Sequence, residues 1–299
     1  MKKNQKIQSE PISVLMTVFN GEPYLKAALD SLINQTYNNW ELILVDNGSH
    51  DQSIEVISNY HDKRIRLYRL KKNIGRTAAL RFAFNKAKNE FIAILDADDV
   101  AQKNRFFDQM KYIEKNTNVA LVASWTQYID EKNRVIGSHQ PPFIKQNLID
   151  SFGWTNSIDH SSVLYRKSIV VQCGGYPKDF VWAQDSALFL KIACQYKIAI
   201  IKKPLTQIRI QGQSLTRSKE YTKIIAEERV RLYELAQGAF DFSFVGKMLN
   251  KGAIAFSKLR LHLIDQSNSA IMRMLEVIQL IFLNFIAIAI FLFCKLIFR

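Results

Sequence analysis

The chain has 299 residues, enough to bury a large core in one domain or to divide between two. Hydrophobic residues make up 48% and charged ones 23%, the balance of a globular protein, and a mean hydropathy of −0.09 excludes a chain made mostly of membrane spans. With 41 Lys and Arg against 27 Asp and Glu the net charge is +14, which suits a polyanionic neighbour: nucleic acid, anionic lipid or a phosphorylated substrate.

The first apolar, β-branched run, residues 12–18, is ended by Asn20-Gly21, and Glu22-Pro23 opens an amphipathic segment at 24–33, so a strand, a turn and a helix are expected. The cycle repeats as ELILVD at 41–46, a polar turn and a helical 53–60; as RIRLYRL at 64–70, a turn and a helical 77–87; and as FIAILD at 91–96. Strands that alternate with helices in this way predict parallel βαβ units with right-handed crossovers, and the near-continuous apolar strands suit a sheet covered on both faces. A helix at 103–115, the strand VALVASW and a hairpin arm around 128–136 follow, stopped by Pro141-Pro142. Residues 152–176 read as loops feeding a cleft. A helix at 184–195, two short strands KIAIIKK and LTQIRI, and a charged helical region from near Arg217 complete the series.

In an open α/β sheet, ligands bind beyond the carboxyl ends of the strands, so the residues just after each strand carry the chemistry. Here these are 17–22, 46–49, 73–76 and 96–99, and polar groups gather at each. Asp46 and Ser49 have a competing reading as helix caps. Asp96, Asp98 and Asp99 repel one another unless a cation or tight hydrogen bonding offsets their charge, and an oxygen-liganded Mg²⁺ or Mn²⁺ held partly by substrate phosphates would do so. No dinucleotide-type or P-loop glycine pattern is present. Cys173, Cys194 and Cys294 form no CxxC pair and no zinc-spaced cluster, and read as reduced packing residues of a cytosolic protein. The opening MKKNQKIQSEP has no apolar stretch ending in a cleavage site, so no signal peptide is expected.

The segments PISVLMTVFNGEPYLKAALDSLINQTYNNWELILVDNGSHDQS and NIGRTAALRFAFNKAKNEFIAILDADD, in that order, resemble the N-terminal half of family 2 glycosyltransferases of the GT-A fold. The likeness continues more thinly through DHSSVLYRKS, GGYP and AQDSALFLKIA to about residue 216. It implies an α/β fold with a Rossmann-like, mostly parallel sheet flanked by helices, a helical C-terminal extension, and inverting transfer of a sugar from a UDP- or dTDP-sugar to a hydroxyl of a glycan or lipid-linked acceptor. By the same resemblance Thr17, Asn20, Glu22, Asp46 and Asn47 line the nucleotide end, and Asn73, Gly75 and Arg76 lie near the diphosphate. Asp96 faces ribose or metal, Asp98 is the ligand of Mn²⁺ or Mg²⁺, and Asp185 is the general base. His160, Ser161, Trp182 and Gln184 belong to the acceptor and sugar pocket. Two departures stand out: Asp46-Asn47 where many relatives have two acids, and Gln211 where relatives often place a His that reaches the metal.

This reading divides the chain into a catalytic domain at 1–216, with a nucleotide-binding half at about 10–100 and an acceptor half at about 101–216, a basic helical extension at 217–270 and an apolar tail at 271–299. Within the tail, 277–294 is apolar except for Gln279 and Asn284, and a lone helix so apolar does not stay in water. A span, an in-plane interfacial helix, a helix packed on a partner and a core helix of the same chain all satisfy that requirement. Lys247, Lys251, Lys258, Arg260 and Arg273, among leucines and Phe256, suit an anionic membrane surface, which places the protein on the cytoplasmic face of the inner membrane. No nucleic-acid recognition motif accompanies the charge. Two competing readings are a nucleotidyltransferase, which TVFNGEPYL fits poorly because it lacks Arg and a Gly-rich run, and a non-catalytic membrane-associated binding protein on the same fold.

Overall fold

The structure, a computed structural model, describes residues 10–142, 145–152, 158–211 and 219–265. Its first half is the expected alternation: β1 (Ile12–Val18), α1 (Glu22–Ile33), β2 (Trp40–Asp46), α2 (Ser53–Ser58), β3 (Ile65–Arg69), α3 (Arg76–Lys86) and β4 (Phe91–Ile94). These four strands are mutually parallel, with β1 between β2 and β4 and β3 outside β2. Period-two alternation assigns their side chains to two cores. Val14, Met16, Leu42 and Leu44 face one side, packed on Leu25, Leu29 and Leu32 of α1. Leu15, Ile43 and Val45 face the other, packed on Ala79, Leu80 and Ala83 of α3. Because both faces are covered, β1, β2 and β4 are largely apolar, and charge is confined to the ends of β2 and to the outer strand β3.

The second half adds β5 (Val100–Ala101), α4 (Arg105–Lys115), β6 (Val119–Ile129), β7 (Val135–His139), α5 (Lys145–Phe152), β8 (Leu164–Arg166), α6 (Lys167–Gln172), α7 (Gln184–Gln195), β9 (Lys197–Arg209), α8 (Lys219–Ala239) and α9 (Phe244–Asp265). The sheet runs β3-β2-β1-β4-β8-β6-β9-β5, with β7 attached to β6. Strand β8 is antiparallel to both β4 and β6, so the sheet is mixed rather than parallel throughout. The expected hairpin arm is real: β6 and β7 pair antiparallel across a turn in which Asn133 has φ 62°.

Two local expectations need correction. The stretch 152–176 is not all loop: it contains the 3-10 turn His160–Ser162, β8 and α6. Helix α6 is a six-residue piece rich in β-branched residues, whose intrinsic preference for helix is weak. It is stopped by Gly174 and Gly175 at φ 83° and 71°, whose N–H groups donate to the carbonyls of Val171 and Val170. KIAIIKK and LTQIRI are one strand, β9, whose register against β6 shifts around Trp125 and Pro204. Proline has no N–H to give to a ladder, and the irregularity absorbs it. The C-terminal extension is packed against the sheet domain, since Leu232, Ala236 and Phe242 belong to the same apolar core as Leu188 and Phe189 of α7.

Candidate active site

The carboxyl ends of β1, β2 and β4 open on one edge of the sheet, and the loops there are sewn together by side-chain hydrogen bonds. Three successive N–H groups after β1 are taken: Asn20 donates to Ser49 Oγ at 3.0 Å, Gly21 to Ser53 Oγ at 2.9 Å and Glu22 to Asp51 Oδ2 at 3.0 Å. Asn20 itself has φ 53°, and its Oδ1 accepts the His50 N–H. This loop therefore cannot cradle a triphosphate on its backbone, which removes the main requirement of the nucleotidyltransferase reading. Thr17 is half-buried at the end of β1, and Glu22 is half-buried at the start of α1.

Asp46 is 2% exposed, and its Oδ1 accepts the Ser49 N–H at 3.1 Å. It orders its own turn without capping α2, whose cap position is Gln52. Asn47 is buried and both ends of its amide are engaged. Nδ2 donates to Asn73 Oδ1 at 3.0 Å, and Oδ1 accepts the Ile74 N–H at 3.0 Å. Asn73 Oδ1 also accepts the Gly75 N–H at 2.8 Å. The two asparagines thus hold the turn that launches α3, with Gly75 at φ 87° as its cap and Arg76 as its first residue.

Arg76 is the electrostatic centre. Its Nη2 donates to Asp96 Oδ2 at 2.6 Å and lies 3.4 Å from His160 Nδ1, while Asp96 Oδ1 lies 3.5 Å from the same ring nitrogen. Asp96 beside it, and then the charges of Asp185 and Asp98, favour the charged Arg76 guanidinium against the opposing effect of burial. Burial alone would raise Asp96, but Arg76 and His160 outweigh it and keep the carboxylate ionised well below the usual range. Asp98 is raised, first by burial and then by the charge of Asp96. Its Oδ2 accepts a hydrogen bond from Gln211 Nε2 at 2.8 Å, so Gln211 reaches this carboxylate. Asp99, 3% exposed, is pushed well up by burial and by Asp98 and Asp96, and accepts the Arg209 N–H.

His160 is 6% exposed, and its Nε2 lies 3.1 Å from the Tyr176 hydroxyl, which in turn is 3.1 Å from that of Tyr165. Ser161 is 1% exposed and its Oγ accepts the Asp96 N–H, so it fixes the backbone of Asp96 from beneath. Asp185 occupies the second position of α7. Ala183 is the cap residue, and Asp185 Oδ1 accepts the Ser186 N–H at 2.7 Å. Asp185 therefore lies inside the first turn of α7 and is not its cap residue. Its negative charge in the first turn is favoured by the helix dipole. Gln184 is fully buried and, with its NH₂ turned inward, donates to the carbonyls of Trp182 and Val181. Trp182 is half-buried on the loop before α7.

Several supporting residues were not visible in the sequence. Arg209 Nε donates to the Asp98 carbonyl, its other nitrogens to Asp130 O and Asn133 Oδ1, and its guanidinium lies 4.5 Å from the Tyr24 ring centroid. Arg105 is fully buried and donates to the carbonyls of Ile94 and Val163 below the acid loop. Burial pushes it down to about 9, with Asp99 opposing the fall. Phe19, 40% exposed, stands after β1 with its ring in edge contact with His50. Among the described residues no group of three or more His, Cys, Asp or Glu forms a metal cage. The donor set around Asp98 is instead one raised carboxylate and one amide, the kind of partial set that a hard divalent cation completes with phosphate oxygens.

Residues 13–173 match the family model described as Glycosyl transferase family 2. The chain is 33% identical over 207 residues to an uncharacterized glycosyltransferase of Methanocaldococcus jannaschii, covering 68% of this chain and 71% of that one. It is 25% identical over 277 residues to an uncharacterized glycosyltransferase of Haemophilus influenzae, with 87% and 83% covered. Among solved structures, S. aureus TarS 1-349 in complex with UDP matches with a TM-score of 0.63 at 18% identity, over 85% of this chain and 72% of that one. The mannosyltransferase PcManGT from Pyrobaculum calidifontis in complex with GDP-Man and Mn²⁺ matches with a TM-score of 0.63 at 17% identity, over 88% and 75%. These structural likenesses carry the GT-A fold, and the family model, which spans more than half of the chain, carries the rest: the protein belongs to glycosyl transferase family 2.

Proposed function

We propose that this glycosyltransferase moves a sugar, with inversion, from a UDP- or dTDP-sugar to a hydroxyl of a glycan or lipid-linked acceptor. The observation that carries the reading is the Arg76–Asp96 ion pair at the carboxyl edge of the sheet, with the negative charges of Asp185 and Asp98 also acting on Arg76. Asp185 accepts the proton of the acceptor hydroxyl as its oxygen attacks the anomeric carbon. The bond from that carbon to the phosphate oxygen breaks, and the nucleoside diphosphate leaves with the electron pair. Base assistance of this kind contributes roughly 10²- to 10⁴-fold. Arg76 lies where negative charge develops on the leaving group, and Asp96 holds its guanidinium in place. Asp98, with Gln211 beside it, would hold Mn²⁺ or Mg²⁺, and the bound ion supplies Lewis-acid charge to the diphosphate. The bound UDP of TarS and the GDP-Man and Mn²⁺ of PcManGT support a nucleotide-sugar donor and a divalent ion at this fold. His160, Trp182 and Gln184 border the acceptor side.

The test is nucleoside-diphosphate release from a panel of UDP-, dTDP- and GDP-sugars with Mn²⁺ or Mg²⁺ and a broad acceptor set. Release is expected with at least one donor, and Asp185→Asn should cut transfer roughly 10²- to 10⁴-fold, leaving a measurable residual rate, while UDP or dTDP still binds. Silence across the whole panel would remove the enzymatic reading, and full transfer by Asp185→Asn would remove the base.

The membrane placement rests on α9. Phe244, Met248 and Leu259 are exposed along it, interleaved with exposed Lys247, Lys251 and Lys258, of which Lys247 pairs with Asp241 and Lys258 with Glu234, giving a face of apolar and lysine side chains. Such a face suits the anionic cytoplasmic leaflet of the inner membrane, where surface-polysaccharide or lipopolysaccharide acceptors are lipid-linked. Among the described residues no helix is long and apolar enough to cross a membrane, and the apolar run 277–294 lies outside them.

A further inference from the structure

Helix α8 lies in what the sequence divides off as an extension, yet one of its side chains reaches the residues that carry Asp185. Glu228 is 2% exposed, and its carboxylate accepts three successive backbone N–H groups: Val181 at 2.5 Å, Trp182 at 2.8 Å and Ala183 at 2.8 Å. Ala183 is the cap residue of α7, and the groups at a helix N-terminus have no partner inside the helix. A carboxylate from another helix therefore supplies what the local sequence does not. The neighbouring contacts tie down the same loop. Arg231, three residues further along α8, donates to the Asp179 carbonyl at 2.8 Å and stacks on Phe180 with its guanidinium 4.8 Å from the ring centroid. From the opposite side Thr77 Oγ1 donates to the Phe180 carbonyl at 2.9 Å, and Thr77 follows Arg76 directly. The loop is thus held between α8 and the start of the helix that carries the central cation.

We infer that Glu228 is a positioning residue for Asp185: by capping residues 181–183 from α8 it fixes the entry of α7 and with it the base relative to Arg76. The inference rests on the reading of Asp185 as general base. A displacement of about 1 Å at a reacting group costs on the order of 100-fold in rate, and loss of a buried three-way acceptor leaves N–H groups that favour such a shift, since each unsatisfied donor costs about 1–3 kcal/mol. Glu228→Gln keeps the size and one acceptor oxygen but turns an NH₂ toward N–H donors. Glu228→Asp keeps the charge and shortens the reach.

The experiment uses the full chain and the donor that gives the fastest nucleoside-diphosphate release among UDP-, dTDP- and GDP-linked sugars. Free UDP or dTDP, whichever matches that donor's base (GDP for a GDP-sugar), titrates the folded, nucleotide-competent sites. Per such site, kcat should fall roughly 10- to 100-fold in Glu228→Gln and in Glu228→Asp, with the donor KM and nucleotide affinity within about twofold of the parent protein. In an Asp185→Asn background, Glu228→Gln should cause no further loss, because a residue acting through the base has nothing left to position. Parent-like kcat in Glu228→Gln, a loss shared by nucleotide affinity, or a full multiplicative loss on top of Asp185→Asn would each overturn the inference. So would failure of both variants to fold, which would make Glu228 a residue of the fold alone. Should Asp185→Asn itself keep full transfer, it is the base assignment that falls, whatever Glu228 does.

Discussion

At the scale of single residues, Gly48 and Gly75 show how one kind of residue meets two different demands. Both have positive φ, 81° and 87°. A Cβ on Gly75 would meet open space, whereas one on Gly48 would lie 2.7 Å from the carbonyl carbon of Lys72 and 2.8 Å from the Asn73 nitrogen. These are backbone atoms and cannot swing away. Gly75, at φ 87° and ψ 150°, has a backbone essentially reserved for glycine, so Gly75→Ala should cost about 1–3 kcal/mol from strain alone, and Gly48→Ala more, as overlap adds to strain. Thermal unfolding of the two variants side by side checks this, and equal losses would contradict the packing argument. Gly48→Ala should also slow turnover, because the Asn73 it displaces is one of the two asparagines that hold Arg76.

At the scale of elements, the strands are knitted by charge at one end as well as by their apolar faces. Glu41 on β2 accepts Ser13 Oγ of β1 at 2.7 Å and pairs with Arg66 of β3 at 2.8 Å. Burial by itself would raise the Glu41 carboxyl, but the hydrogen bonds from Ser13 and Arg66 outweigh it and leave it below its ordinary value. The folded state therefore binds this proton less readily than the unfolded chain. Its contribution is fully present above the ordinary glutamate range and is lost as pH falls through the lowered value. Denaturant midpoints of the parent protein and Glu41→Gln should accordingly lie apart at neutral pH and converge below about pH 4. A gap unchanged with pH would show that packing, and not ionisation, accounts for the residue.

At the scale of the whole molecule, the +14 charge and the face of apolar and lysine side chains on α9 point the same way. Sedimentation with phosphatidylglycerol vesicles should carry down more of the full chain than phosphatidylcholine vesicles do. Substituting Lys247, Lys251 and Lys258 together by Gln should lessen the difference, each lysine contributing up to about 1 kcal/mol near an anionic surface. Added salt should have the same effect, over a Debye length of about 8 Å at physiological ionic strength. Equal binding to both lipids would assign the association to apolar contacts alone. The extension is also joined to the sheet domain through Leu232, Ala236, Phe242 and Glu228, so α8 and the loop before α7 belong to one packed body.

The sequence by itself determined the parallel βαβ half, because strand and helix periods are local and each apolar run has to be buried. It also singled out the acidic loop and Arg76, since strand ends in such a sheet are where ligands bind. Helix α6 escaped it because a six-residue β-branched segment carries little local helical signal, and β9 looked like two strands because Pro204 interrupts a ladder that only pairing with β6 keeps continuous. Tertiary structure alone decided that Arg76 engages Asp96, leaving Asp98 as the raised carboxylate beside Gln211. Arg105, Arg209 and Glu228 were hidden for the same physical reason. Each acts on backbone groups remote in sequence, from Asp98 under Arg209 to residues 181–183 under Glu228, and no local pattern marks a side chain whose partner is a distant main-chain atom.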